Sequence, residues 1–292
     1  MKIDFDIKTD AIGDLSPYRV ADFLEILLLI KKYDEISKSD VDDILRDWSV
    51  YDKNSIPHLE WFRDDPRFAG STDKEELYVD VVWEHWERRL AIFGEVTPFE
   101  KVDSVIRIRS HTRKDRSNYV LLLLCSKLRL VSDRAKREDL ANKFEELCCE
   151  VLQTDYFPTA DIKSFGAKSN HFGKQLRDAV RNLAKWLGEP ARESAIEETS
   201  DRGDFGLDIV GKLQADRYDA GAVFIVGQCA AREDEWEKKK EEARNILTLI
   251  DCYNQPINMV FIPHAYRKTD GRWYKETSAR HVSLFDRVRL LT

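Results

Sequence analysis

The chain has 292 residues, 35% of them charged and 42% hydrophobic, with only 12 glycines and 8 prolines, which excludes a fibrous or low-complexity chain and points to one large globular domain or two modest ones. Its longest candidate segments, 23–30 and 119–125, fall short of the ~20 residues a membrane-spanning helix needs, so no membrane association is expected. The opening MKIDFDIKTD lacks the apolar stretch of a secretory signal, and five dispersed cysteines form no disulfide framework, so a reducing cytoplasm is the expected location.

Charge divides the sequence unevenly. Residues 1–100 carry 13 Lys/Arg against 24 Asp/Glu, whereas 101–292 carry 34 against 30. Within the second part, 101–137 holds 11 basic and three acidic residues. Net acidity argues against binding nucleic acid by global attraction, but a local basic surface that includes Arg107, Arg109, Arg113, Lys114 and Arg116 is compatible with it. A solvated strand edge and turn accounts for the same residues equally well.

In chain order, SPYRVADFLEILLLIKKY predicts a helix over 18–33, with Ser16 and Pro17 suited to its start. Helical spacing of Val41, Ile44, Leu45 and Trp48 predicts a second over 39–48, and Leu77, Val81, Val82, Trp86, Leu90 and Phe93 a third over 72–93. Moderate alternation predicts a strand over 102–108, and YVLLLLCSKLRL reads as an apolar strand or a short buried helix. A helix over 133–151 with Ser132 or Asp133 as its cap is followed by a loop over 157–173 and a helix over 174–187 that ends at Gly188 and Pro190. Strands over 208–212 and 222–228, a helix over 236–250, a strand over 259–263 and a final strand or short helix in HVSLFDRVRLL complete the reading. The expected organisation is an acidic, mainly helical interaction or regulatory module over 1–104 and an α/β domain over 105–292.

The chemistry concentrates in RGDFGLDIVGKLQADRYDAGAVFIVGQCAAREDEWEKKK. Asp208 follows a glycine-containing bend at the start of an apolar segment, where a carboxylate can emerge from a sheet edge. Gln228 ends the next apolar strand. A surface aspartate and a strand-ending glutamine account for this spacing without any chemistry.

At these residues the sequence resembles the PD-(D/E)XK nuclease superfamily, in its restriction-endonuclease-like, Mrr-like branch. GDFGLDIV followed by AVFIVGQCA is similar to that family's aspartate and its Gln-x-Lys motif, and Phe144-Glu145 is similar to the Phe-Glu pair of the preceding helix. The resemblance covers about 133–263. It implies a restriction-endonuclease-like mixed sheet flanked by helices, and metal-dependent hydrolysis of nucleic acid, with DNA favoured, in microbial restriction or anti-phage defence. It further implies Mg²⁺, or Mn²⁺ in its place, held by Asp208, Glu145 and Gln228. Ala230 stands where the family places its catalytic lysine. Helical phase from Trp236 puts Lys239 on the face directed at the sheet, between the phases of Lys238 and Lys240, so Lys239 is the expected substitute and completes a catalytic set of Asp208, Gln228, Lys239 and Glu145. The alternative implied by Ala230 is a catalytically inactive nuclease-fold subunit that binds nucleic acid or serves assembly.

Arg267, Lys268 and Arg272 in FIPHAYRKTDGRWYKE are candidate phosphate contacts, with Trp273 and Tyr274 as stacking surfaces. The N-terminal module is the expected route to a homo-oligomer or a defence-system partner. Asp204 is a further candidate carboxylate. The six histidines and five cysteines show no zinc-ligand spacing, Cys229 reads as a small buried residue, and GDFG stands without the other kinase motifs.

Overall fold

The computed structural model describes residues 5, 15–47, 73–110, 116–166, 169, 171–200, 205–213, 221–231 and 236–292. Trp48, Arg113, Lys114 and Asp204 lie outside these residues. The chain is α/β and divides into two compact units, the first formed by 1–140, 264–274 and 287–292 and the second by 141–263 and 275–286. The boundary expected at 104/105 is thereby corrected. Strand pairing rather than charge rules out a cut there, because the strand just past 104 hydrogen-bonds to two strands that precede it. No described helix is long and apolar enough to cross a membrane.

The first unit is built on α1 (Pro17–Leu29), whose residues from Pro17 to Leu28 are all buried. Ser16 occupies its cap position with extended backbone and Pro17 opens the first turn. β1 (Glu35–Ser37), α2 (Lys38–Asp47) and α3 (Lys74–Phe93) follow, α3 capped by the Asp73 carboxylate, which accepts from the Glu76 amide. The region expected as one strand over 102–108 is a hairpin of β2 (Phe99–Val102) and β3 (Val105–Ile108). Asp103 takes the left-handed backbone at its tip, φ +53°, which aspartate tolerates better than most residues. The antiparallel sheet runs β1-β3-β2. The apolar block after 116 is a helix, α4 (Ser117–Ser126).

Since α1 is buried on every side, its charges need buried partners. Asp22 and Glu25, both fully buried, lie 2.6 and 3.3 Å from the Arg89 guanidinium and 3.0 and 3.7 Å from that of Arg287. Glu25 also accepts from Trp86 Nε1 at 3.1 Å and from the Tyr119 hydroxyl at 2.9 Å. Burial opposes ionisation of Asp22, but Arg287 and Arg89 outweigh it and hold this carboxyl well below its ordinary value. For Glu25 burial prevails and its pKa is raised. Arg287 opens α9 (Arg287–Leu291), so the chain's end closes this cluster.

The second unit contains most of α5 (Arg134–Val151), whose start is capped by Asp133 accepting from Ala135 N at 2.8 Å. Then come β4 (Asp161–Ser164), α6 (Leu176–Leu187), α7 (Glu193–Glu198), β5 (Ile209–Leu213), β6 (Val223–Cys229), α8 (Trp236–Lys239), β7 (Ile257–Phe261) and β8 (Ser283–Phe285). The sheet order is β4-β5-β6-β7-β8. β5 runs antiparallel to both of its neighbours, β4 and β6, while β7 pairs parallel with β6 and β8 parallel with β7. Leu176, Val180, Leu183 and Leu187 of α6 form one core with Val210, Phe224, Val226, Ala243, Ile246 and Ile250. Gly188 ends α6 in the left-handed conformation, φ +76°.

Two local expectations are corrected here. β4 lies in the stretch read as a loop: DIKS has little strand character of its own, and its pairing with β5 supplies the order. The helix expected over 236–250 is a single turn, α8, followed by a 3-10 run, Glu242–Thr248. Asn258 Nδ2 donates to the Lys240 carbonyl at 3.0 Å, the acceptor an α-helix would offer to Arg244, and Arg244 N turns instead to the Glu241 carbonyl at 3.1 Å.

Candidate active site

Pairing of Ile209 with Gly227 places Asp208 and Gln228 at adjoining ends of β5 and β6. Asp208 is pinned through its backbone, with its amide donating to the Gly227 carbonyl at 2.9 Å and its carbonyl accepting from Phe165 N at 2.7 Å. Its half-buried carboxylate accepts from the Cys229 amide at 2.6 Å. The chain reaches Asp208 through Phe205 and Gly206, both left-handed at φ +58° and +67°.

Gln228 is 7% exposed. Its Nε2 donates to Glu242 Oε2 at 3.4 Å, and its Oε1 is buried with no hydrogen-bond partner among the described residues. Gly206 leaves room for this pair, because a Cβ there would lie 2.6 Å from Gln228 Nε2 and 3.0 Å from Glu242 Oε2.

From α5, Glu145 is half-buried and its neighbour Glu146 exposed, as the helical phase requires. Cys148 and Cys229 form a hydrogen-bonded thiol pair within the fields of Asp208 and Glu145. Burial raises both thiol pKa values, with the two carboxylates adding to it, and burial with the same neighbours pushes Cys149 up to about 12. These thiols are therefore protonated at neutral pH and serve as packing groups.

Ala230 contributes only backbone here, its amide donating to the Phe261 carbonyl at 2.8 Å. On α8, Trp236 is buried, Lys239 half-buried and Lys238 exposed. Lys240 is committed elsewhere, with Nζ donating to the Ser278 and Arg280 carbonyls at 2.9 and 3.1 Å.

Among the described residues, no group of three or more His, Cys, Asp or Glu side chains is arranged to hold a metal ion. A magnesium ion does not need three, since it keeps several waters and takes one or two carboxylates together with substrate phosphate. Asp208 and Glu145 would supply two carboxylates, and Gln228 Oε1, buried without a partner among the described residues, a hard neutral oxygen. This donor set fits such an ion.

The candidate phosphate contacts fall in the first unit rather than with Asp208. Arg267 stacks on Trp273 with its guanidinium carbon 3.4 Å from the ring centroid, and Nη1 donates to the Gly271 carbonyl. Arg289 also approaches that ring, at 5.1 Å, so Trp273 carries two cations. Arg272 pairs with Asp270 at 2.7 Å, and Lys268 is half-buried. In the basic stretch, Arg109 and Arg116 bond to Glu95 and Arg107 to Glu100, so these three are ion-paired.

Sequence reasoning missed Glu242, hidden in the charged run EKKKEEARNIL, where only the break after α8 turns it toward Gln228. It also missed the cluster of Asp22, Glu25, Arg89 and Arg287, whose members are scattered along the chain. No protein-family model matches the chain, and comparisons with curated proteins and with solved structures also found no match.

Proposed function

We propose that the second unit is a metal-dependent phosphodiesterase acting on nucleic acid, DNA in preference to RNA, with Mg²⁺ or Mn²⁺ as its ion. The observation that carries this reading is the junction of β5 and β6, where Asp208 and Gln228 emerge side by side and share a neighbourhood with Glu145 through the Cys148–Cys229 pair. The three-stranded meander of β4, β5 and β6, preceded by α5, interrupted by α6 and α7 between β4 and β5, and extended by β7 parallel to β6 after a crossover, supports a restriction-endonuclease-like core.

Asp208 and Glu145 would hold the ion, with Gln228 Oε1 as the neutral donor. When bound, the ion polarises the scissile phosphate and acidifies a water. The Cys229 amide bond fixes the direction of the Asp208 carboxylate. In this reading the Lys239 ammonium offsets charge gathering on the phosphate, the task that Ala230 cannot perform. Lys239 has a half-buried stem on a one-turn helix anchored by Trp236, whereas Lys240 is held by two carbonyls and Lys238 faces solvent.

The test is cleavage of single- and double-stranded DNA and of RNA by the full chain with Mg²⁺ or Mn²⁺, beside Asp208→Ala and Lys239→Ala. Metal-dependent cutting lost in both variants is the expected result. A role in restriction or anti-phage defence, in which the first unit joins copies of the chain or a partner protein, extends the same proposal.

A second reading has its own observation. Ala230 replaces the lysine, and one Asp208 oxygen is already taken by the Cys229 amide, as suits a nuclease-like fold retained for binding or assembly. Nucleic acid bound equally well with and without metal, and never cut, would select this reading.

A further inference from the structure

We infer that Glu242 is a positioning residue that holds the Gln228 amide in one orientation and so presents Gln228 Oε1 as an open acceptor beside Asp208. The use of that acceptor rests on the nuclease reading; the orientation does not.

The argument begins with what the two groups can do. An ionised carboxylate only accepts hydrogen bonds, and an amide has one donating and one accepting end. Facing Glu242 Oε2 at 3.4 Å, Gln228 must present Nε2, because turning the amide over would set two acceptors against each other. Oε1 is then committed to the other side, where it is buried and has no partner among the described residues. Leaving such an acceptor unsatisfied is costly, and native proteins keep one where a water, an ion or a ligand fills it.

The approach is built by three separate elements. The turn contributes Gly206, whose missing Cβ makes the space that Gln228 Nε2 and Glu242 occupy. β6 contributes Gln228 at its paired end, and the 3-10 run contributes Glu242 at its first residue. That run exists because Asn258 captures the Lys240 carbonyl and ends α8. A hard cation, or a water bound to one, is the chemistry that Oε1 would accept.

The experiment reads the Gln228 side-chain amide directly, by NMR of the full-length ¹⁵N-labelled protein. Its resonances are assigned by their loss in Gln228→Met and followed in Glu242→Ala, Glu242→Gln and Glu242→Lys, each checked for native circular dichroism. Without metal, Glu242→Ala should move the amide protons to solvent-exposed positions. Glu242→Gln should keep them near the parent, because its amide oxygen still accepts. Glu242→Lys should shift them differently, because an ammonium draws Oε1 instead. On titration with Mn²⁺, the parent's Gln228 resonances should broaden, and Glu242→Ala should weaken apparent affinity about 10-fold, with Glu242→Gln restoring it. Identical Gln228 resonances in the parent and in a folded Glu242→Ala variant would overturn the inference. If the resonances respond as described but Mn²⁺ leaves them untouched and the parent cuts no nucleic acid, the orientation stands and the nuclease reading fails.

Discussion

Replacing Arg287 by Met tests the buried cluster that joins the first unit's helices to the end of the chain. Arg287 is fully buried and stands 3.0 Å from Asp22 and 3.7 Å from Glu25, which are themselves fully buried. The parent cluster sets two carboxylates against Arg89 and Arg287, with His264 Nδ1 3.4 Å from Asp22, whereas the variant keeps Arg89 and that imidazole. Removing one partner from a buried charge set costs about 3–5 kcal/mol, because the remaining charge is left without compensation. Methionine retains much of the stem's volume, so most of this loss is electrostatic rather than a cavity effect. Glu25 already has a raised pKa and is the carboxylate that takes up a proton first. The loss should therefore be largest near pH 8 and shrink toward pH 5, and adding Glu25→Gln should recover part of it. Urea unfolding, followed by circular dichroism at both pH values, measures all three quantities. A loss below about 1 kcal/mol, or a Glu25→Gln effect that simply adds to that of Arg287→Met, would refute the reasoning.

His85 should make the protein acid-sensitive. Burial, with Arg89 beside it, lowers its pKa from 6.5 to about 3, so between these values the unfolded chain binds the extra proton. Its contribution is complete above pH 6.5 and is lost as pH falls toward 3, with a slope approaching about 1.4 kcal/mol per pH unit; His85→Gln should flatten the stability profile between pH 4.5 and 6, and an unchanged slope would reject the assignment. Lys239 and Lys240 should separate activity from stability. Lys240→Ala loses two bonds to carbonyls and should lower stability by about 1–3 kcal/mol while turnover per folded molecule holds; Lys239→Ala should do the reverse in a cleavage assay read beside thermal melts. Deleting residues 1–104 should leave no folded first unit, because α4 and α9 would lose α1 and α3 and Arg287 would lose both carboxylates; limited proteolysis that instead finds α4 protected in the truncated chain would contradict this.

Much of the fold was legible in the sequence wherever local pattern and tertiary need agree. The apolar 3.6-residue spacing of α1, α3 and α6 and the short apolar runs of β5, β6 and β7 need no distant partner to be recognised. Asp133 as a cap, Gly188 as a stop and the alignment of Asp208 with Gln228 were legible for the same reason. β4 was not, because its order comes from hydrogen bonds donated and accepted by β5. The break after α8 was not, because it depends on Asn258, 18 residues beyond the Lys240 carbonyl it captures. The boundary at 104 failed because composition records charge along the chain, whereas units form by burial across it, and residues 264–274 and 287–292 return to the first unit.

The sequence by itself determined which residue types stand at the ends of β5 and β6 and that no lysine occupies position 230. Only the tertiary structure decided that Glu242 faces Gln228, that Lys240 is held by two carbonyls, and that Arg107, Arg109 and Arg116 are ion-paired with Glu95 and Glu100. The physical reason lies in the nature of the contacts. A helix phase or strand alternation is a property of neighbours along the chain, whereas an ion pair or a hydrogen bond between side chains is fixed only when separate elements are packed at distances of a few ångströms.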